Sequence, residues 1–160
     1  MMNSVQAPRV LPRLLHRAHR LFSIVFPRLT IGVRGIVLSE NREVLLVKHS
    51  YMDGWHLPGG GVKRGEALIA ALARELREES GVEMTGPPEL YGVYFNSKFS
   101  SGDHVILFVV RAFRKTEPRA NFEIIDHGFF PLGQLPDDTT ASTRARIAEV
   151  TYGGPAPEHW

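Results

Sequence analysis

Three carboxylates, Glu75, Glu78 and Glu79, fall within five residues of an alanine- and leucine-rich stretch. On a helix, positions i, i+3 and i+4 share one face, so these side chains crowd together. Like charges at that spacing destabilise an isolated helix, and a hard divalent cation with oxygen ligands, such as magnesium, is a natural compensation. Ile69, Leu72, Ala73 and Leu76 give the same helix an apolar stripe to bury. The expected helix therefore has a core face and a metal face. A plain solvated face, which charge runs usually form, would account for Glu78 and Glu79 but not for the residues spaced around them.

Those surrounding residues are glycines, an acid and an arginine. Gly59, Gly60 and Gly61 follow Leu57-Pro58, and glycine lets backbone come close to a ligand or metal. Gly65-Glu66 opens the expected helix with a carboxylate near its positive end, and Gly81 closes it. The 23-residue stretch Gly60–Val82 resembles the Nudix box. That pattern runs Gly, five residues, Glu, seven residues, Arg-Glu-apolar, one residue, Glu-Glu, one residue, Gly-apolar. Here the positions are Gly60, Glu66, Arg74, Glu75, Leu76, Glu78, Glu79, Gly81 and Val82, with no departure. Nine specified positions at fixed spacing are a far more specific signal than a lone glycine motif.

The resemblance implies an α/β/α sandwich with a mixed sheet over about residues 30–150, and hydrolysis of a nucleoside diphosphate linked to another group. It implies magnesium, with manganese as a substitute, held by Glu78 and Glu79. Glu75 is then a third ligand or helps activate water, and the carbonyl of Gly59 or Gly60 can add an oxygen. Arg74 is expected to orient a box glutamate through charge-assisted hydrogen bonds. Glu66 is expected to support the site rather than ligate. Many relatives recruit another acid from the loop before a late strand; Glu123, six residues before Phe129, stands in the corresponding place, with Asp126 as a second candidate. The chemistry fits independently, because cleaving a phosphoanhydride brings water to a phosphorus ringed by anionic oxygens, and divalent ions offset that charge.

The 160 residues point to one domain able to bury a core, and 43% apolar with 22% charged residues is ordinary for a soluble globular protein. With no cysteine, disulfides and thiolate metal sites are excluded, and a reducing cytoplasm is the expected compartment. No apolar run reaches the roughly 18 residues of a membrane span. Residues 1–39 carry Arg9, Arg13, Arg17, Arg20, Arg28 and Arg34 but no acid, so the rest of the chain is net acidic.

Residues 1–29 hold a basic amphipathic helix from about Pro8 to Phe26, with Leu11, Leu14, Leu15, Ala18, Phe22 and Val25 at helical spacing. Docking on the domain or on a second subunit, as in a homodimer, is favoured over contact with an anionic membrane surface. Residues 30–150 form the catalytic domain and 151–160 a tail, whose order is left open. Thr30–Leu38 and Glu43–His49 are expected to pair as a hairpin, and Glu89–Phe99 with His104–Arg114 as another. A short strand near His127–Pro131 follows, then a final helix capped by Asp137 or Asp138 and running to about Val150. Trp55 is expected to pack, and His56 to be a hydrogen-bonded structural histidine.

Substrate residues are harder to read. Arg34, in an apolar strand, is either an ion-paired arginine or a phosphate contact. Tyr94, Phe95, Asn96 and Lys98 lie near a strand end, where aromatics could stack on a base and Asn could read its edge, or two of them could be core. The leading expectation is a magnesium-dependent hydrolase of a small nucleotide, such as a nucleoside triphosphate or an ADP-ribose-like compound. The alternatives are a non-catalytic nucleotide-binding regulatory module and an RNA-directed hydrolase. The intact box disfavours the first, and six arginines with little aromatic interleaving are a weak nucleic-acid signature for the second.

Overall fold

The computed structural model describes residues 29–97, 101–118 and 122–160. The expected N-terminal helix and Lys98 lie outside these residues. The element order is β1 (Thr30–Val37), β2 (Glu43–His49), β3 (Trp55–His56), α1 (Leu68–Ser80), β4 (Val82–Met84), β5 (Glu89–Phe95), β6 (Asp103–Val110), β7 (Phe113–Lys115), β8 (Ile124–Pro131) and α2 (Ala141–Tyr152).

Strand side chains alternate between two faces, and here both faces are apolar. Val33 and Val37 of β1, Leu45 of β2, and Ile106, Phe108 and Val110 of β6 pack on one side with Ala71, Leu72 and Leu76 of α1. The residues between them, Ile36, Val44, Leu46 and Leu107, pack on the other side with Trp55, Leu57, Tyr94 and Ile147 of α2. The strands are thus sandwiched between two helices, and α1 is pressed against one face with its carboxylates at the edge of the core. Ile69 departs from the expected stripe: it is 49% exposed, and Ala71 takes its place inside.

The strands divide into a mixed sheet β1-β6-β5, an antiparallel sheet β3-β2-β8 and the pair β4-β7. The second expected hairpin is present, β5 pairing antiparallel with β6, although the apolar run after Val110 leaves the sheet and resumes as β7 against β4. The first is not. β1 instead runs parallel to β6 over its whole length, and β2 pairs with β3 and β8. Only the bridge Leu38–Val44 remains of the hairpin. The reason lies on the other edge of β1, which the glycine loop occupies. Val33 N–H donates to Gly60 O and Gly35 N–H to Pro58 O, each at 2.9 Å, and Val62 N–H donates to Ile31 O at 2.9 Å. That docking fixes the loop beside Arg34.

Helix ends also differ in detail. Glu66 stands just ahead of α1, which begins at Leu68 after Ala67 with no side-chain cap. Gly81 closes α1 in the left-handed conformation, φ 67°, as its sequence position implied. Thr140, not Asp137 or Asp138, caps α2, its hydroxyl accepting from Thr143 N–H at 3.3 Å. The Asp138 carbonyl is engaged by Trp55 N–H instead, and its carboxylate by Lys48. The tail is ordered: Phe95 N–H donates to Glu158 O at 2.8 Å, and Trp160 N–H returns to Phe95 O at 3.1 Å. Among the described residues, no helix is long and apolar enough to cross a membrane.

Candidate active site

Arg74 is the hub of the acidic helix. Its Nε and Nη2 donate to the two oxygens of Glu66 at 2.8 and 3.0 Å, and Nη1 donates to Glu75 Oε1 at 2.7 Å. Nη2 also reaches Gly61 O at 3.2 Å, and Nη1 lies 3.5 Å from Glu78 Oε2. A planar guanidinium with a fork of donors can hold several carboxylates in one arrangement, which a lysine cannot. The bidentate pairing pulls the Glu66 carboxyl down to about 2, with the Lys63 N–H assisting, and raises Arg74 in turn. Glu66 is thereby fixed as a brace between loop and helix. Glu75 comes so close to Gly60 that a Cβ there would sit 2.5 Å from Glu75 Oε1. A side chain at position 60 would have to push that carboxylate aside.

Glu79 is held differently. Its side chain is buried, and Oε2 accepts from Gly59 N–H at 2.7 Å. Burial pushes its carboxyl up to about 8. The Arg34 charge and the Gly59 N–H oppose that rise, while Glu75 and Glu123 add to it. His49, also buried, places Nε2 3.9 Å from Glu79 Oε1. Glu78 is the most open of the three, with its side chain 34% exposed. The carboxylates are therefore graded along one helix face, from inside to solvent, while their backbone partners come from the glycine loop.

The other candidates separate. Arg34 Nη1 donates to the carbonyls of Gly59 and, at 3.3 Å, Leu57, so it steadies the glycine loop and places its charge beside Glu79. The Gly60 carbonyl accepts from Val33 N–H. Glu123 is exposed; its carbonyl accepts from Ser50 N–H at 2.8 Å, and its charge acts on both Glu79 and Tyr51. Asp126 is exposed on β8 opposite Lys48, accepting from His127 N–H. Tyr94 leaves the substrate-contacting set. Its ring is fully buried, its hydroxyl donates to Glu149, and Arg146 and Trp160 cover it, so no face is open to a base. Asn96 donates to Asp103 Oδ2 at 2.9 Å and braces the turn between β5 and β6. Phe95 lies between the rings of His104 and His159. Trp55 packs edge-on to Phe130, and His56 bonds the Asp53 carbonyl at 2.9 Å, its basicity lowered by burial.

A model of the NUDIX domain matches residues 28–150. A Bacillus subtilis protein provisionally named 8-oxo-dGTP diphosphatase is 32% identical over 68% of this chain and 74% of its own length. The chain belongs to the Nudix family. A second Bacillus subtilis protein, provisionally named ADP-ribose pyrophosphatase, is 30% identical over 69% of this Nudix chain but only 54% of its own length. The crystal structure of a MutT Nudix hydrolase from Burkholderia pseudomallei superposes with a TM-score of 0.64 at 26% identity, over 76% of this chain and 97% of that one. Nudix hydrolases use divalent metal ions, and this chain carries the complete box that serves them.

Two neighbours of the box escaped the sequence reading. His49 and Tyr51 flank Ser50 at the end of β2, their rings 5.1 Å apart. The Tyr51 phenol is pushed up to about 12, by burial first and then by Glu123, with Glu79 and Glu75 adding to the effect and Arg34 opposing it. The only available signal was position, ten and eight residues ahead of Gly59. Where β2 runs into the loop before β3, a pocket of about 260 Å³ is lined by Lys48, Met52, Asp53, Gly54, Ile125 and Asp138 beside His49 and Ser50.

Proposed function

We propose that this Nudix hydrolase cleaves a phosphoanhydride in a small nucleotide, a nucleoside triphosphate or an ADP-ribose-like compound, with magnesium as its metal, in the cytoplasm. The observation that carries the reading is the Arg74 hub, which gathers Glu66, Glu75 and Glu78 while Gly59 N–H fixes Glu79. Among the described residues, no three histidine or acidic side chains already converge in a ligating group. The donor set nonetheless fits a hard cation, because all ligand candidates are oxygens. Glu75, Glu78 and Glu79 would hold the ion, with the Gly59 carbonyl as a further oxygen once Arg34 Nη1 releases it. Bound there, a divalent cation offsets phosphate charge and lowers the pKa of water.

The chain's own groups do the rest. Arg74 keeps the carboxylates oriented, and Arg34 contributes positive charge beside the buried Glu79. Glu123 supplies another acid, near enough for its charge to act on Glu79. The base or sugar end enters the neighbouring pocket, where Met52 and Ile125 offer apolar surface and Asp53 and Asp138 accept hydrogen bonds. The names borne by the two Bacillus relatives support the choice of substrates without distinguishing between them. A homodimer or a membrane contact through residues 1–29 forms no part of this reading. Chromatographic separation of the nucleotide products from a panel of nucleotides, with and without magnesium, tests it; no turnover of any member by folded protein overturns it.

A further inference from the structure

The strand end that carries His49 and Tyr51 is tied across the site by two contacts on opposite sides. Ser50 N–H donates to the Glu123 carbonyl at 2.8 Å, which sets residue 50 opposite 123 and Tyr51 next to that pair, close enough for the Glu123 charge to act on it. The Tyr51 ring packs on His49, whose Nε2 is 3.9 Å from Glu79 on α1. Tyr51 is thus placed between an acid that leads into β8 and an acid of the box helix. Ionised carboxylates only accept hydrogen bonds, so neither acid can hold the other in place. Arg74, the obvious mediator, is committed to Glu66, Glu75, Glu78 and Gly61, and Arg34 directs Nη1 to the glycine-loop carbonyls.

We propose that Tyr51 is a positioning residue that holds the Glu123 carboxylate toward the box, so that an exposed loop acid becomes a working member of the site. A phenol suits the task because it is a proton donor among acceptors. Here it keeps its proton to about pH 12, so it donates across the working range. Its half-buried ring, held on His49, gives the hydroxyl a fixed place. The inference rests on the hydrolase reading for its kinetic consequence but not for its geometry.

The test is a double-variant cycle of Tyr51→Phe and Glu123→Gln. Phenylalanine keeps the ring on His49 and removes only the hydroxyl. Each single variant is expected to lower kcat about 10- to 100-fold with KM changed less than about 3-fold, and the double variant to fall no further than the worse single, as coupled groups do. Unfolding midpoints should stay within a few degrees of wild type. Mn2+ affinity, read by electron paramagnetic resonance on the same four proteins, should weaken by a similar factor in both single variants, again without addition. Wild-type kcat in either single variant, or multiplicative losses in the double variant, overturns the proposal. So does a loss that tracks a fall in unfolding midpoint. If wild-type protein hydrolyses nothing in the panel, the hydrolase reading fails alone, and the Mn2+ cycle still decides whether Tyr51 acts through Glu123.

Discussion

Replacing Glu79 with glutamine should make the protein more stable and inactive at once. Glu79 is buried, and burial raises its carboxyl from 4.5 to about 8. The unfolded chain loses that proton near 4.5 while the folded chain retains it to about 8. Between these values the unfolded state binds fewer protons, so stability falls as pH rises, and above about 8 the loss is complete. At ~1.36 kcal/mol per pH unit, the ceiling is about 5 kcal/mol, and a loss on the order of 3–5 kcal/mol is expected. Glutamine cannot ionise, yet its carbonyl can still accept from Gly59 N–H. Urea unfolding followed by tryptophan fluorescence, in chelator from pH 4 to 9, should therefore show the two proteins converging at low pH. Toward pH 8 the glutamine variant should become the more stable by the full amount. Added magnesium should close the gap by stabilising wild type alone, since binding to the folded state raises its stability. A stability difference that is constant with pH would refute the idea that desolvation of Glu79 is the source.

Other consequences follow from the same contacts. Arg74→Lys keeps the charge but loses the fork to Glu66 and Glu75, so activity should fall about 10- to 100-fold in a steady-state assay, with the fold intact by circular dichroism. Gly60→Ala should lose activity at least about 10-fold, because its Cβ would displace the Glu75 carboxylate from 2.5 Å away; wild-type kcat would show that Glu75 need not occupy its observed place. Removing residues 1–26 should leave a folded, active enzyme, checked by turnover and by sedimentation with and without anionic vesicles.

The helix and its chemistry were legible because the box is local: nine positions within one turn-and-helix segment carry both the acids and the residues that orient them. The resemblance likewise implied the sandwich, and β6, an almost unbroken apolar run, is covered on both faces. What failed to show were facts about edges and neighbours. Nothing in Thr30–His49 says that Pro58–Val62 will take the free edge of β1 and push β2 into another sheet. Period alone put Glu79 on a metal face, whereas packing sinks it beside the core. The sequence left Tyr94 open between stacking on a base and core, and the tail that brings Trp160 over its ring puts it in the core. It left Arg34 open between an ion pair and a phosphate contact, and the glycine-loop carbonyls that it holds are a third use no local pattern shows. Tyr51 and Glu123 come near each other only through the pairing of β2 with β8, a long-range contact that no local pattern encodes.

The central claim is that this acidic helix face performs metal-dependent phosphoanhydride hydrolysis. Its most direct test is a magnesium-dependent screen of nucleoside triphosphates, oxidised nucleotides, ADP-ribose, nucleotide sugars, dinucleoside polyphosphates and capped RNA. Glu78→Gln serves as the control, because its side chain is partly open to solvent and its loss should leave the core untouched. The account predicts turnover of one small-nucleotide class that requires magnesium and disappears in the folded variant. Undiminished turnover by Glu78→Gln at saturating magnesium, or none by folded wild type that still binds the metal, would contradict it.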